Sequence, residues 1–427
     1  MNIRFALLAS PLAFSFIALV QLAIAQPRQQ PANEAFDPAK SICTATLREY
    51  GARGDARTDD TAAIQRALES GCTVRGENLS YRITGPLRPI GDSVFADATL
   101  VQGIPAGGLK RPIYADGVSN LTLSNIKIDR GNDPYFGLTP TTDPYLAAHD
   151  IAGIWISNST NIILADVEVY GDGVGFGIIL APDTNVHLVR PYVHDMRWAS
   201  QLQPENEIIV GIYAVRSSHV VMDAPRVANL TPAAINALTG RAAGRRNNMT
   251  DGIDSSGSTE FILNDPEVWN VGEGIDISGR FTTTFRISGG NLHDIDSYCY
   301  KMTNKQGPGV IQNSTATRCG LGGFVLSGPV SGVKLINNNA VNTGQDSQWP
   351  NKAKFGFSLE YSYGAMPSDI TIANSKSVDN QASPTTYDGF YCEQGRAPVR
   401  GVRIVGSSAI GFRRSAMFGF ERTAAPD

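Results

Sequence analysis

A short pattern recurs along most of the chain: a glycine, then an apolar residue, a variable one, a second apolar one and a small or polar one. It reads Gly153-Ile-Trp-Ile-Ser157, Gly177-Ile-Ile-Leu-Ala181, Gly211-Ile-Tyr-Ala-Val215, Gly252-Ile-Asp-Ser-Ser256 and Gly274-Ile-Asp-Ile-Ser278. It continues as Cys299-Tyr-Lys-Met-Thr303, Gly323-Phe-Val-Leu-Ser327, Gly356-Phe-Ser-Leu-Glu360 and Gly389-Phe-Tyr-Cys-Glu393. Starts are 24, 34, 41, 22, 25, 24, 33 and 33 residues apart. A self-similar unit of this length means stacked repeats, each burying its apolar face on its neighbours. The short spacings measure one coil, and the long ones a coil plus an inserted loop. Between the starts lie further apolar runs, such as Asn161-Ile-Ile-Leu, Val333-Lys-Leu-Ile and Asp369-Ile-Thr-Ile, with Asn, Asp or Gly turns such as Asn337 and Asn374 after them. Short strands at about three per coil predict an all-β fold: a single-stranded, right-handed parallel β-helix, or solenoid. The 43 glycines are expected to serve tight turns.

The repeat is preceded by a different kind of segment. Arg4, the apolar run Phe5 to Val20 and the small-x-small triplet Ala23-Ile24-Ala25 have the form of a secretory signal over residues 1–25. A flexible leader, 26–43, a solenoid, 44–420, and a C-terminal tail, 421–427, complete the expected organisation. Export places the protein outside the cytoplasm, secreted or periplasmic, where disulfides persist. Of the five cysteines, Cys43 and Cys72 are one candidate pair and Cys299 and Cys319 another, with Cys392 left over. No later apolar run is long enough to span a membrane. The net charge of −4 argues against nucleic acid as a partner.

Glu49-Tyr-Gly-Ala-Arg-Gly-Asp-Ala-Arg-Thr-Asp-Asp-Thr-Ala-Ala-Ile64 resembles the opening segment of the pectate-lyase/polygalacturonase β-helix superfamily. The resemblance implies a strand, a turn and a short N-terminal helix that caps the open end of the solenoid. Thr58 to Thr61 supply caps and acids for that helix. Ile64, Ala67 and Leu68 form its apolar face.

Stacked coils turn equivalent positions into columns. With the first and third residues after each start pointing inward, the second and fourth point outward. Two places after each start the column reads Trp155, Ile179, Tyr213, Asp254, Asp276, Lys301, Val325, Ser358 and Tyr391. The column before each start reads Ala152, Phe176, Val210, Asp251, Glu273, Tyr298, Gly322, Phe355 and Asp388. Four carboxylates, a lysine and a tyrosine are thus expected together on three adjacent coils. Clustered carboxylates are costly unless a proton is shared, a cation bound or chemistry served.

Met249-Thr-Asp-Gly-Ile-Asp254 is similar to a motif of polygalacturonase-type glycoside hydrolases. The resemblance implies that Asp251 helps activate the attacking water and that Glu273 serves the same water. Gly272 stands where that family keeps its general acid and Tyr298 where it keeps a histidine. Its later Arg-x-Lys pair has no match at Gly323 to Ser327. Asp276, or else Asp254, is then the candidate proton donor, with Lys301 holding or polarising substrate and Tyr298 in support.

Together these features describe a secreted enzyme that cleaves glycosidic bonds of an acidic polysaccharide, needing no cofactor. Two alternatives stand beside it. The first is a lyase or epimerase acting on uronic acids, with Ca²⁺ at Asp254 and Asp276 and Lys301 or Tyr298 as base. The second is a non-catalytic polysaccharide binder. Trp155, Tyr213 and Tyr391 are candidate stacking platforms, and Arg245 and Arg246, with Arg241, candidate carboxylate clamps. His293 is placed in a turn near the site, and Glu360 at its far end. The groove is expected along the first strand's outward face, walled by insertions at 182–210 and 216–250.

Overall fold

Short strands repeating at a fixed interval satisfy their backbone groups by stacking coil on coil. The computed structural model describes residues 43–103, 111–131, 151–172, 175–198, 209–232, 250–279, 284–304, 306–345, 354–393 and 399–420. These residues form a parallel β-helix. The expected signal, most of the leader and the tail lie outside the described residues.

One parallel sheet of 11 strands collects the first strand of each coil, from Ile113–Asp116 to Ser415–Phe418. It includes Gly175–Leu180, Ile209–Val215, Thr250–Ser256, Glu273–Ser278, Tyr298–Thr303 and Gly322–Ser327. The second and third strands of the coils share a sheet of 23 strands, all paired in parallel. The repeat therefore extends one coil further at each end than the glycine starts indicate. At the first, Ile113 pairs with Ile154, and at the last, Phe390 pairs with Met417. Both terminal coils lack the glycine: Pro112 and Ala416 occupy its place.

Inside the solenoid, like stacks on like. Tyr300, Phe324, Phe357 and Phe390, each the first residue after a start, form a column of parallel rings with centroids 4.6, 4.9 and 5.0 Å apart. Such stacking adds to the area each ring buries. At the turns, asparagines take up left-handed backbone, as at Asn158, Asn270 and Asn337.

The starting glycines do something else. At Gly153, Gly177, Gly211 and Gly252 a side chain would meet a core valine of the third strand and the next coil's backbone oxygen, each less than 3.0 Å away. These glycines permit close approach at a corner, where the expectation from composition was tight turns. Gly252 thus faces inward beside Ile253, and the residue before it, Asp251, is turned to the same side as Asp254. Gly252→Ala is expected to destabilise the fold by about 1–3 kcal/mol through this overpacking, read as a lower denaturant midpoint.

The helix Thr61–Leu68 packs Ala63, Ile64, Ala67 and Leu68 into the core. Asp59 accepts from the Thr61 backbone at 3.1 Å, while Asp60 turns back to accept from Arg53 and Gly54 at 2.8 and 3.1 Å. Cys43–Cys72 and Cys299–Cys319 are disulfides, and Cys392 is a buried free thiol. The ranges 182–210 and 216–250 are not simply walls. They contain ordinary coil strands, Thr184–Val189, Tyr192–Trp198, Ser218–Asp223 and Arg226–Pro232. Only 199–208 and 233–249 remain as inserted chain, outside the described residues.

Candidate functional site

Register decides which side chains meet. Asp251 pairs with Glu273, and Asp254 with Asp276, which pairs in turn with Lys301. The three strands are successive coils about 4.8 Å apart. The Lys301 ammonium donates to Glu273 Oε2 at 2.7 Å and to Asp276 Oδ2 at 3.3 Å, so both columns face one space. Glu273 is fully buried, Asp251 and Asp276 are 4% and 8% exposed, and Asp254 is the most accessible of the four acids.

Burial with like charges sets the ionisation. Burial, then Glu273 and Asp254, holds the Asp251 carboxyl well above the usual carboxylate range. Burial, then Asp276, does the same to Asp254, against which the Ser278 hydroxyl pulls weakly. Oδ1 of each is buried without a hydrogen-bond partner, a feature that does not by itself separate these two acids from Glu273 and Asp276. Burial pulls Lys301 down, but Glu273 and then Asp276, the acids it donates to, outweigh it and hold the ammonium well above the ordinary lysine value. The arrangement is one ammonium held between Glu273 and Asp276, flanked by two acids whose proton affinity is raised.

A stability signature follows. Asp251 and Asp254 bind protons more tightly folded than unfolded. Their contribution is whole below the ordinary Asp value of 3.8 and is lost as pH rises through their raised folded values. Lys301 contributes below its ordinary 10.5 and loses that contribution only above it. Melting from pH ~4 to pH ~9 should therefore show wild-type stability declining more steeply than that of Asp251→Asn. Parallel curves would show Asp251 to be ionised in the folded protein.

Tyr298 lies one coil beyond Glu273, its ring against Gly322. Burial, then Glu360 and Glu273, pushes its hydroxyl far up. Lys301 and Tyr298 are both held protonated, the reverse of what a base requires. Glu360 approaches from two coils further on and accepts from Ser358 at 2.9 Å. Among the described residues, no group of three or more His, Cys, Asp or Glu has the geometry to hold a metal, which bears on the Ca²⁺ expectation at Asp254 and Asp276.

The expected substrate contacts divide. Tyr213 pairs with Asp254 and stacks on Phe176 at 5.2 Å; burial, then Asp254, pushes its hydroxyl up to about 12. Trp155 carries the Arg111 guanidinium 3.8 Å over its ring. Tyr391 is packed between Phe355 and Phe418 at 4.1 and 5.7 Å, so its faces are taken up within the protein. His293 is not near the acids. It belongs to Asn291–His293, the third strand of its coil and part of the other sheet, where it stacks on Trp269 and bonds Asp294 at 2.8 Å. Arg241, Arg245 and Arg246 lie outside the described residues. Ser278, which touches Asp254, carried no sequence signal beyond its place two residues after Asp276.

No protein-family model matches the chain. In sequence it is 26% identical over 147 residues to a pre-neck appendage protein of Bacillus phage B103, a match spanning 31% of this chain and 17% of that protein. In structure it is similar to a tailspike protein of E. coli bacteriophage HK620, with a TM-score of 0.63 at 9% identity over 87% of this chain and 67% of that one. It is also similar to the surface adhesin PfbA of Streptococcus pneumoniae, with a TM-score of 0.57 at 12% identity over 90% and 96% of the two chains. The A-module of the Azotobacter vinelandii mannuronan C-5 epimerase AlgE6 gives a TM-score of 0.54 at 15% identity over 90% and 100%. What is shared at these identities is the parallel β-helix. The similarity to polygalacturonase-type hydrolases rests on the residues around Asp251 and Asp254 alone.

Proposed function

We propose that the protein cleaves glycosidic bonds of an extracellular polysaccharide by hydrolysis, at the acid cluster on the coils of Asp254, Asp276 and Lys301. What supports this is the register that sets four acids around one ammonium, with burial and like charge raising the proton affinity of Asp251 and Asp254. Glycoside hydrolysis needs one carboxylic acid to protonate the leaving oxygen and one carboxylate to serve as base or nucleophile. Asp254, held protonated and the most accessible of the acids, suits the first task better than Asp276. Asp276 sits one coil away with Lys301 donating to it, which suits the second. Glu273 anchors the ammonium and Asp251 holds a proton beside it, so both act on the reacting pair through position and field. These are the roles we assign; the sequence reading instead has Asp251 and Glu273 activating the water and Asp276, or else Asp254, donating the proton.

The same facts weigh against β-elimination, since neither Lys301 nor Tyr298 is free to take a proton. Among the described residues the one cation in the cluster, Lys301, is already shared by two carboxylates. That favours a neutral pyranose at the point of cleavage over a uronate. The fold neighbours, which include phage tailspikes, a mannuronan C-5 epimerase module and an adhesin, support a glycan partner in general. Export to the cell exterior or periplasm belongs to the same proposal. The test is incubation with a panel of neutral and acidic polysaccharides, with mass spectrometry of the products. Saturated oligosaccharides gaining one water per cleavage are expected. Unsaturated products would mean elimination, and intact polymer throughout would mean binding without turnover.

A further inference from the structure

The third strands and the turns that follow them carry a second feature, around the corner from the acids. Tyr170, Asp172, Asp195, Arg197, Asn229 and Asn270 line a cavity of about 490 Å³. That volume lies in the range of small-molecule sites. Its floor is rigid. Asp172, with a side chain 2% exposed, accepts from Arg197 Nε at 2.8 Å and Nη2 at 2.6 Å, and its charge also acts on the buried Arg130 guanidinium. One wall is a ladder of fixed polar groups on successive coils: Asn270 donates to Asn229 at 2.8 Å, and Asn229 donates to Asp195 at 2.7 Å. The other is the start of an aromatic row along the third strands, in which Tyr170 pairs with His194 and stacks on it at 5.5 Å. The row goes on through Tyr192 and Trp269, with Arg226 4.4 Å over the Tyr192 ring.

We infer that this cavity binds pyranose units of a glycan running parallel to the solenoid axis. Aromatic rings beside carboxylate, guanidinium and amide groups held in fixed positions are the chemistry that recognises a sugar, whose ring has apolar faces and a rim of hydroxyls. Coils repeat every ~4.8 Å, close to the length of one pyranose, so the ladder offers a polar contact at each sugar step. Asn270 lies three residues before Glu273 in the chain, so a glycan seated here is led round the turn towards the acid cluster. The inference rests on the proposed function for the identity of the ligand as a glycan. It makes the cavity a distal subsite whose occupancy does not require the acids.

Native gel electrophoresis of the full chain through gels containing pectin, alginate, xylan or dextran separates the two claims. At least one polysaccharide should retard both the wild type and Asp254→Asn. Tyr170→Ala, which removes the aromatic wall, should weaken that retardation about tenfold, a loss in keeping with one stacking residue. Asp195→Asn, an isosteric change at an exposed position, should weaken it less, and melting curves report whether either variant is folded. Retardation lost in Tyr170→Ala but kept in Asp254→Asn upholds the subsite, even if no polysaccharide is ever cleaved. Equal retardation of the wild type and a folded Tyr170→Ala, or no retardation by any of the four polymers, overturns it. Cleavage that persists with unchanged KM in Tyr170→Ala would likewise sink the subsite while leaving the acid cluster in place.

Discussion

Asp254→Asn will lower turnover of the cleaved polysaccharide by about 10²–10⁴-fold, the range for removing a positioned general acid, with binding changed only slightly. The amide has the shape of the neutral carboxylic acid it replaces but cannot give up a proton to a leaving oxygen. For the same reason the folded protein should tolerate it. Burial and Asp276 raise the proton affinity of wild-type Asp254, so the substitution replaces a group biased towards its neutral form with a neutral one and removes a group that strains the fold at higher pH. Low activity with intact stability and intact polysaccharide binding separates catalysis from both a pure binder and a purely structural ladder. A variant that cleaves at the wild-type rate would take Asp254 out of the reaction.

Lys301→Met should have the largest effect on stability, about 3–5 kcal/mol at neutral pH, because it breaks a buried ion pair by removing one partner. Glu273 is fully buried, and the ammonium at 2.7 Å offsets its charge. Without the ammonium, Glu273 and Asp276, three residues apart on one strand, are left as anions in a site that already holds two more acids on the adjacent coil. Their folded proton affinities would rise, so the deficit should shrink as the pH is lowered towards ordinary carboxylate values and grow as it is raised. Adding Glu273→Gln to Lys301→Met should recover much of the loss, since residues in one ion-pair network are not additive. Denaturant unfolding of the two single variants and the double variant measures this. Additive losses would mean that Lys301 and Glu273 do not act on each other.

The columns could be read from the sequence because the spacings of 22 and 25 residues leave no room for a loop between the coils of Asp251, Glu273 and Tyr298. A single inward-outward alternation then places Asp254, Asp276 and Lys301 side by side. What lay beyond the sequence was anything decided by depth. Which acids hold protons depends on how far each is buried and on where the Lys301 ammonium settles, and four carboxylates in two columns look alike on paper. His293 misled because short third strands carry no glycine start, so its sheet could not be assigned. Tyr391 looked like an open platform because the ring that covers it, Phe355, sits in the other column one coil earlier. The terminal coils escaped notice because Pro112 and Ala416 stand where most coils begin with glycine.

The central claim is that two carboxylic acids stay protonated at neutral pH beside an ion-paired lysine. Infrared difference spectroscopy between wild type and Asp254→Asn at neutral pH observes this directly. A protonated carboxyl carbonyl band present in the wild type, shifted by heavy water and absent from the variant, is the predicted result. A difference spectrum with only ionised carboxylate bands would mean that Asp254 has already lost its proton and cannot donate it.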